Sequence, residues 1–298
     1  MARAGSQPLD HGADGTAPDI RLGLIGDNIA ASRSPLLHVL AGRLAGLNAS
    51  YDRLVPRECG RDLDGLLADC AARGYRGVNV TYPYKERAAS RVQVDDPAVR
   101  ALGAVNTVIF GPGAPRGHNT DFSGFIAAYR EARGARPAGR VCMIGAGGVG
   151  KAIAHALLQS GIEHLTILDL DGDKADDLGR RMAMLAPWLD VAVVRTAGDI
   201  GRPHDGFVNC SPVGMVGLEG TPLDRDLLAC GTWAFDAVYT PVRTRFLMDA
   251  AAEGLQVISG YELFFHQGLD AWRLFSGQPV DARELKRLLV EAGAGPDA

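Results

Sequence analysis

The chain has 298 residues, of which 47% are hydrophobic and 22% charged, with a formal net charge of −4. That is enough apolar material for a full core and for two domains, which excludes a small disordered or disulfide-stapled protein. The mildly acidic balance excludes the basic footprint that nucleic-acid phosphates or anionic lipids require, so a small-molecule partner is expected, with no nucleic acid and no membrane. Residues 1–18, rich in Gly, Ala, Asp and Pro and without the apolar run of a secretory signal, read as a disordered tail. From Ile20 to about Gly124, β-like runs (IRLGLIG, ASYDRLV, GVNVTY) alternate with helix-like ones (SPLLHVLAGRLAGL, DLDGLLADCAARG), which predicts an α/β layer architecture. Ser34 is expected to cap the first helix, with Pro35 at its first helical position, so that Ser32 and Ser34 lie on a loop after a strand.

A helix through FIAAYREARG leads to a Gly/Arg/Pro-rich stretch, Gly134 to Arg140, that reads as a boundary. A second series follows, with strands VCMIG, HLTILDL, DVAVVR, DGFVNCS, WAFDAVY and LQVIS separated by helix-length intervals, as in a doubly wound sheet. YELFFHQGLDAWRLFSG and DARELKRLLVEAG are amphipathic helices at the end. The five cysteines (Cys59, Cys70, Cys142, Cys210, Cys230) have no CxxC pair and no histidine at ligand spacing, so they are expected to be reduced and mostly buried, with no metal site.

Gly145-Ala146-Gly147-Gly148-Val149-Gly150 matches GxGxxG, follows the strand VCMI and opens a helix. In that context the first glycine makes the tight turn, the second admits a pyrophosphate to the backbone, and the third lets helix and strand pack closely. The next strand ends at Asp169, where a carboxylate accepts hydrogen bonds from the adenosine ribose and repels a 2′-phosphate. With Lys174 the first cation after it, NAD is expected and NADP is less favoured. A plainer reading has Asp169 cap the next helix.

Polar clusters lie at strand ends: Ser32-Arg33-Ser34, Asn79 to Lys85, Gly103 to Thr107, Gly117 to Asp121, Asn209 to Pro212, Asp236 to Tyr239, and Ser259-Gly260 through Gln267. In this order they resemble the motifs of the shikimate/quinate dehydrogenase family: SxSP, NVTxPxK, GAVNT, GxNTDxxGF, GAGG, a strand-end Asn block, D-x-V-Y and a closing G…Q. The resemblance runs from about Ile20 to Gly277. It implies a substrate-binding domain of residues 19–124 plus 265–298, a Rossmann NAD-binding domain of residues 125–264, and a cytoplasmic enzyme, monomer or homodimer. It also implies oxidation of the C3 hydroxyl of shikimate, or the equivalent hydroxyl of quinate, to a ketone.

Carried over residue by residue, the resemblance places Ser32 and Ser34 on the substrate carboxylate. Thr81, Asn106, Gln267 and the catalytic pair Lys85 and Asp121 fall on its hydroxyls, and Tyr239 beside the cofactor. Gly145, Ala146, Gly147, Gly148, Val149, Asp169, Cys210, Ser211, Val238 and Gly260 fall on the dinucleotide. Protonated Lys85 suits proton donation to a ketone as hydride arrives. Arg33 is open to two readings, as an attractor of the carboxylate or as a solvated loop cation, and no histidine is assigned a catalytic role. NADP-using members usually carry Asn-Arg-Thr/Ser where this chain has Asp169-Leu170-Asp171, which favours NAD and catabolic oxidation over aromatic amino acid biosynthesis. Some quinate-accepting members have threonine at the position of Ser34, so the serine leans toward shikimate. An NADP-dependent biosynthetic enzyme, an aminoshikimate-type relative and an NAD-binding regulator without turnover are the alternatives.

Overall fold

The computed structural model describes residues 17–201 and 203–296. The tail expected over residues 1–18 lies outside the described residues apart from its last two. The chain divides into two compact units, one of residues 17–118 and 268–295 and the other of residues 119–267 and 296.

The first unit begins with β1 (Ile20–Ile25), α1 (Ser34–Leu44), β2 (Ala49–Leu54), α2 (Pro56–Cys59), α3 (Leu63–Ala72) and β3 (Gly77–Val80). It continues through α4 (Lys85–Ala89), α5 (Pro97–Leu102), β4 (Thr107–Ile109) and β5 (Arg116–His118). The sheet order is β2-β1-β3-β4-β5. β1, β2 and β3 run parallel, while β4 is antiparallel to both β3 and β5. Ile25, Val78, Val80 and Val108 of the strands pack with Leu63, Leu66 and Leu67 of α3 in one apolar cluster. The cap of α1 differs from expectation: Arg33 is the N-cap and Ser34 is already helical. Ser32 Oγ accepts from the Ser34 amide at 3.3 Å, so the serine two residues upstream meets a donor that a helix start leaves unpaired.

The second unit contains α6 (Thr120–Arg133), β6 (Gly139–Ile144), α7 (Gly148–Leu158), β7 (Ile162–Leu168), α8 (Gly172–Leu185) and β8 (Asp190–Val194). After these come β9 (Gly206–Asn209), α9 (Arg225–Leu228), β10 (Trp233–Asp236), α10 (Arg245–Ala252) and β11 (Gln256–Ile258). All pairings are parallel, in the order β11-β10-β9-β6-β7-β8, so the order in which strands are added reverses between β6 and β9. A strand buried on both faces reads as a continuous apolar run. Accordingly Val141 and Met143 of β6 face Phe125, Tyr129 and Leu157, while Cys142 and Ile144 face Phe246, Leu247 and Ala250.

Three expectations from sequence need correction here. The division near 124/125 falls instead at 118/119, because α6 is one uninterrupted helix burying Phe125 and Tyr129 in the second unit. For the same reason Gly134 to Arg140 is a connection within that unit. The intervals before and after β9 carry no full-length helix: a 3-10 turn (Ala197–Asp199) serves before it and the four-residue α9 after it, where Gly214, Gly217 and Gly220 hold positive φ ahead of α9. Among the cysteines, all free, Cys70 and Cys142 are buried, Cys210 is half-buried, and Cys59 at the end of α2 and Cys230 on a turn are exposed.

α11 (Gly260–Ser276) runs through the second division, between Gln267 and Gly268 rather than at 264/265. Its last turns and α12 (Ala282–Glu291) complete the first unit. There Phe275 lies so close to Gly77 that an added Cβ would meet its Cε1 at 2.5 Å. His38 of α1 stacks on Tyr51 with ring centroids 4.9 Å apart and meets Trp272 and Phe275. Burial, outweighing a hydrogen bond that the ring donates to Asn79, lowers its pKa to about 3. In the other unit burial and the neighbouring His164 lower that of His204 to about 4.

Both folded values lie below the ordinary one near 6.5, so the unfolded chain protonates first and this part of the stability is lost as pH falls below 6.5. At pH 5 the His38 contribution is about 2 kcal/mol. Urea unfolding followed from pH 7 to pH 5 should therefore show a falling midpoint, and His38→Leu should flatten that slope. An unchanged slope in the variant would show that His38 is not the titrating group.

Candidate active site

In the first unit the residues expected at the substrate gather at one edge of the sheet. Backbone bonds extend the ladder past the strands: Thr81 N–H donates to Ile25 at 2.9 Å, Val80 N–H to Asn106 at 2.8 Å and Asn106 N–H to His118 at 3.1 Å. Gly26 keeps that edge tight, since a Cβ there would come within 2.8 Å of Ile29 and overlap the Thr81 methyl. The loop carrying Ser32 is held by Arg53, whose Nη2 donates to the Ser32 carbonyl at 2.8 Å. Arg33 donates to the Gly295 carbonyl at 2.9 Å, a backbone anchor that neither reading of its sequence position foresaw.

Lys85 is the first residue of α4 and is buried; its carbonyl accepts from Val105 N–H at 2.9 Å, tying the helix to the segment before Asn106. Asn106 is oriented by a buried chain of donations. Tyr51 OH donates to Asn79 Oδ1 at 2.8 Å, Asn79 Nδ2 to Thr107 Oγ1 at 3.0 Å, and Thr107 Oγ1 to Asn106 Oδ1 at 3.0 Å. With its oxygen engaged as an acceptor, the Asn106 amide is set to act as a donor. Tyr51 is not marked out by sequence, since its strand ASYDRL is already largely polar, and Thr107 enters there only as the last residue of the Gly103 to Thr107 cluster, with no role of its own.

In the second unit, Asp121 sits in the first turn of α6, buried, where the helix dipole favours a carboxylate. Asn119 caps that helix, its Oδ1 accepting from the amides of Asp121 and Phe122 at 3.1 and 3.2 Å. Gln267 lies against the same turn: Thr120 Oγ1 donates to its Oε1 at 3.4 Å, and a Cβ on Gly124 would meet its backbone N at 2.8 Å. Tyr239 stacks on Phe264 at 5.1 Å. Lys85 and Asp121 thus belong to different units.

The expected cofactor residues follow one row of strand ends. Registers pair Asp236 with Asn209, Ile144 with Asn209 and Ile144 with Leu168. The next residues are therefore Ala237-Val238, Cys210-Ser211, Gly145-Ala146 and Asp169, at the carboxyl edge where the strand order reverses and where ligands bind in such sheets. Gly145 has φ +99°, and a Cβ there would lie 2.6 Å from Ser211 N; one on Gly150 would overlap the Gly145 carbonyl oxygen. Gly260 is as crowded, with the Val238 carbonyl 2.5 Å from its Cβ position.

Gly147 is different. A Cβ there meets nothing within 4 Å among the described residues, and its φ of −73° suits any residue. Protein packing therefore does not require this glycine, and the open space over the start of α7 is of the kind a phosphate needs to reach helix amides. The residues present fit a dinucleotide. Asp169 Oδ2 accepts from Ala146 N–H at 2.6 Å and Oδ1 from Asp171 N–H at 2.8 Å, while Asp171 itself caps α8. The plainer reading of Asp169 as a helix cap is thereby excluded. Beneath this edge Asp236 accepts from Asn209 Nδ2, Val238 N–H and Thr244 OH at 2.9, 2.9 and 2.6 Å, and burial, outweighing these bonds, raises its pKa to about 6.

A family profile described as the shikimate dehydrogenase substrate binding domain matches residues 24–108. A shikimate dehydrogenase (NADP(+)) of Arthrobacter sp. (strain FB24) is 36% identical over 94% of this chain and 98% of its own. A quinate/shikimate dehydrogenase (NAD(+)) of Corynebacterium efficiens is 36% identical over 90% and 96%. The chain belongs to the shikimate/quinate dehydrogenase family.

Solved members of the family share this architecture, an α/β substrate-binding domain with a Rossmann domain. The quinate dehydrogenase of Corynebacterium glutamicum in complex with NAD superimposes with a TM-score of 0.83 at 34% identity, covering 91% of this chain and 99% of that one. The shikimate 5-dehydrogenase of Thermus thermophilus, in complex with NADP(H) and shikimate, gives 0.79 at 32%, covering 92% and 99%. The protein is thus an NAD(P)-dependent oxidoreductase acting on a CH–OH group. Among the described residues no helix is long and apolar enough to cross a membrane.

The two glycines make opposite predictions for this dehydrogenase. Gly147→Ala should leave urea stability within about 0.5 kcal/mol of the parent, yet weaken NAD+ binding by at least about tenfold in calorimetric titration. Gly150→Ala should cost about 1–3 kcal/mol of stability. Full NAD+ affinity in Gly147→Ala would remove the pyrophosphate from this turn.

Proposed function

We propose that the protein is an NAD-preferring dehydrogenase that interconverts shikimate and 3-dehydroshikimate, and accepts quinate, by hydride transfer at the C3 hydroxyl. The observation that carries the cofactor part is Asp169: its carboxylate stands against the Ala146 amide at 2.6 Å, in the turn that opens α7. A carboxylate there accepts from ribose hydroxyls and repels a 2′-phosphate. Relatives at 36% identity include both NAD(+) and NADP(+) enzymes, so the preference rests on this side chain rather than on kinship.

Bound nicotinamide dinucleotide takes up or supplies the hydride at the substrate carbon. Lys85 exchanges the hydroxyl proton: it receives it as the ketone forms and returns it in the reducing direction. Asp121 orients Lys85 and the hydroxyl. Ser32 and Ser34 hold the substrate carboxylate, Thr81, Asn106 and Gln267 hold its remaining hydroxyls, and Tyr239 lines the cofactor side. What supports these roles is the burial of Lys85 and Asp121, the gathering of Ser32, Thr81, Lys85 and Asn106 at one sheet edge, and the donor orientation of Asn106. Ser34 stands where some quinate-accepting members carry threonine, which favours shikimate over quinate.

Initial rates of nicotinamide reduction with shikimate and quinate, each with NAD+ and NADP+, test this reading; NAD+ with shikimate should give the highest kcat/KM. Preferential turnover with NADP+ would overturn the role given to Asp169. Lys85→Ala should lower kcat by about 10²–10⁴ with little change in KM, and near-parent kcat would remove Lys85 from the proton transfer.

A further inference from the structure

β7 and β8 pair with Leu168 opposite Val194, so the first residues beyond that pair are Asp169 and Arg195. Arg195 turns over the start of α8. Its Nη1 donates to the Gly172 carbonyl at 3.3 Å and its Nη2 to Asp176 at 2.7 Å, and a Cβ on Gly172 would stand 3.2 Å from Nη1. This is the same turn that Asp169 organises through the Asp171 amide. Strand pairing thus brings a guanidinium to the adenosine end of the dinucleotide site, a cation absent from the residues that directly follow Asp169 in sequence.

The charges of this turn are matched in pairs. Lys174 meets Asp171 at 3.2 Å and Arg195 meets Asp176 at 2.7 Å, leaving Asp169 and Asp173 as the excess. A nucleotide 2′-phosphate is best met by an arginine offering two parallel N–H groups, and here those groups are engaged on Gly172 and Asp176. The ion pair is part-exposed, with side-chain exposures of 55% and 38%, and such pairs are weak. Loss of one charge is enough to release the guanidinium.

We infer that Arg195 is a cofactor-specificity residue of this protein, and that Asp176 sets the preference by holding its guanidinium away from a nucleotide 2′-phosphate. The inference rests on the reading of the Gly145–Asp169 region as the dinucleotide site. It treats the preference against the phosphorylated cofactor as the sum of two devices, repulsion by Asp169 and sequestration of Arg195. Removing the second alone broadens specificity while Asp169 keeps its bonds to the ribose diol.

The test is calorimetric titration of the full chain with 5′-AMP and with 2′,5′-ADP, which reports binding without turnover. The parent should bind 5′-AMP more tightly. Asp176→Asn should raise 2′,5′-ADP affinity by about tenfold and leave 5′-AMP within about twofold. Asp173→Asn removes an equal charge from the same turn without freeing Arg195, and should gain less than about threefold. Arg195→Gln added to Asp176→Asn should erase the gain, as a coupled pair requires. Equal gains in Asp173→Asn and Asp176→Asn, or a gain that survives Arg195→Gln, would overturn the inference and leave the dinucleotide site standing. Absence of 5′-AMP binding in the parent would overturn the site itself and the inference with it.

Discussion

The approach of α7 to β6 is the contact on which the second unit's chemistry depends. Gly150 lies against the carbonyl of Gly145 with no room for a Cβ, and Gly145 lies against the Cys210-Ser211 backbone in the same way. These two contacts hold the helix start over the strand row at the point where the sheet order reverses. The unpaired amides of α7, the Ala146 amide and the Asp169 carboxylate are then fixed relative to one another. A ligand phosphate gains from amides already in place, because no further ordering is needed when it binds.

The first unit solves a different problem, that of orienting polar side chains inside an apolar layer. A buried polar group without a partner is costly, and a fully donated chain removes that cost while leaving one direction of donation. Tyr51, Asn79, Thr107 and Asn106 form such a chain across three strands. His38 stacks over its first member, kept neutral by burial. The arrangement converts an asparagine at a strand end into a directed donor. Lys85 is placed by the same edge, through the bond of its carbonyl to Val105.

Charge around the Asp169 turn follows the same logic of commitment. Asp169, Asp171 and Asp176 each accept hydrogen bonds from a backbone amide or a neighbouring cation, so the rim is acidic yet locally paired. On the cofactor reading proposed above, a ribose diol bonds to such a rim, whereas a 2′-phosphate has to displace one of the pairs. Specificity of this kind comes from what the site withholds as much as from what it offers.

The amino-acid sequence by itself determined the α/β class, the parallel second sheet, the glycine turn with its acidic strand end, and the family. Each of these is written in a local period or a short ordered motif: apolar runs such as VCMI for doubly buried strands, and GAGGVG between strand and helix. The short strands β4 and β5 and the short helices α4 and α5 carry too few residues for a period, and they emerged only with tertiary pairing. The division at His118 was hidden because Gly124 looks like a breaker but sits inside a helix, its missing side chain answering Gln267 on another helix. Tertiary structure alone decided the donation chain through Tyr51 and Thr107, the anchoring of Arg33 on Gly295, and the arrival of Arg195 beside the Asp169 turn. The reason is common to all three: hydrogen bonds and ion pairs between side chains distant in sequence depend on strand register and helix packing, which local pattern does not encode.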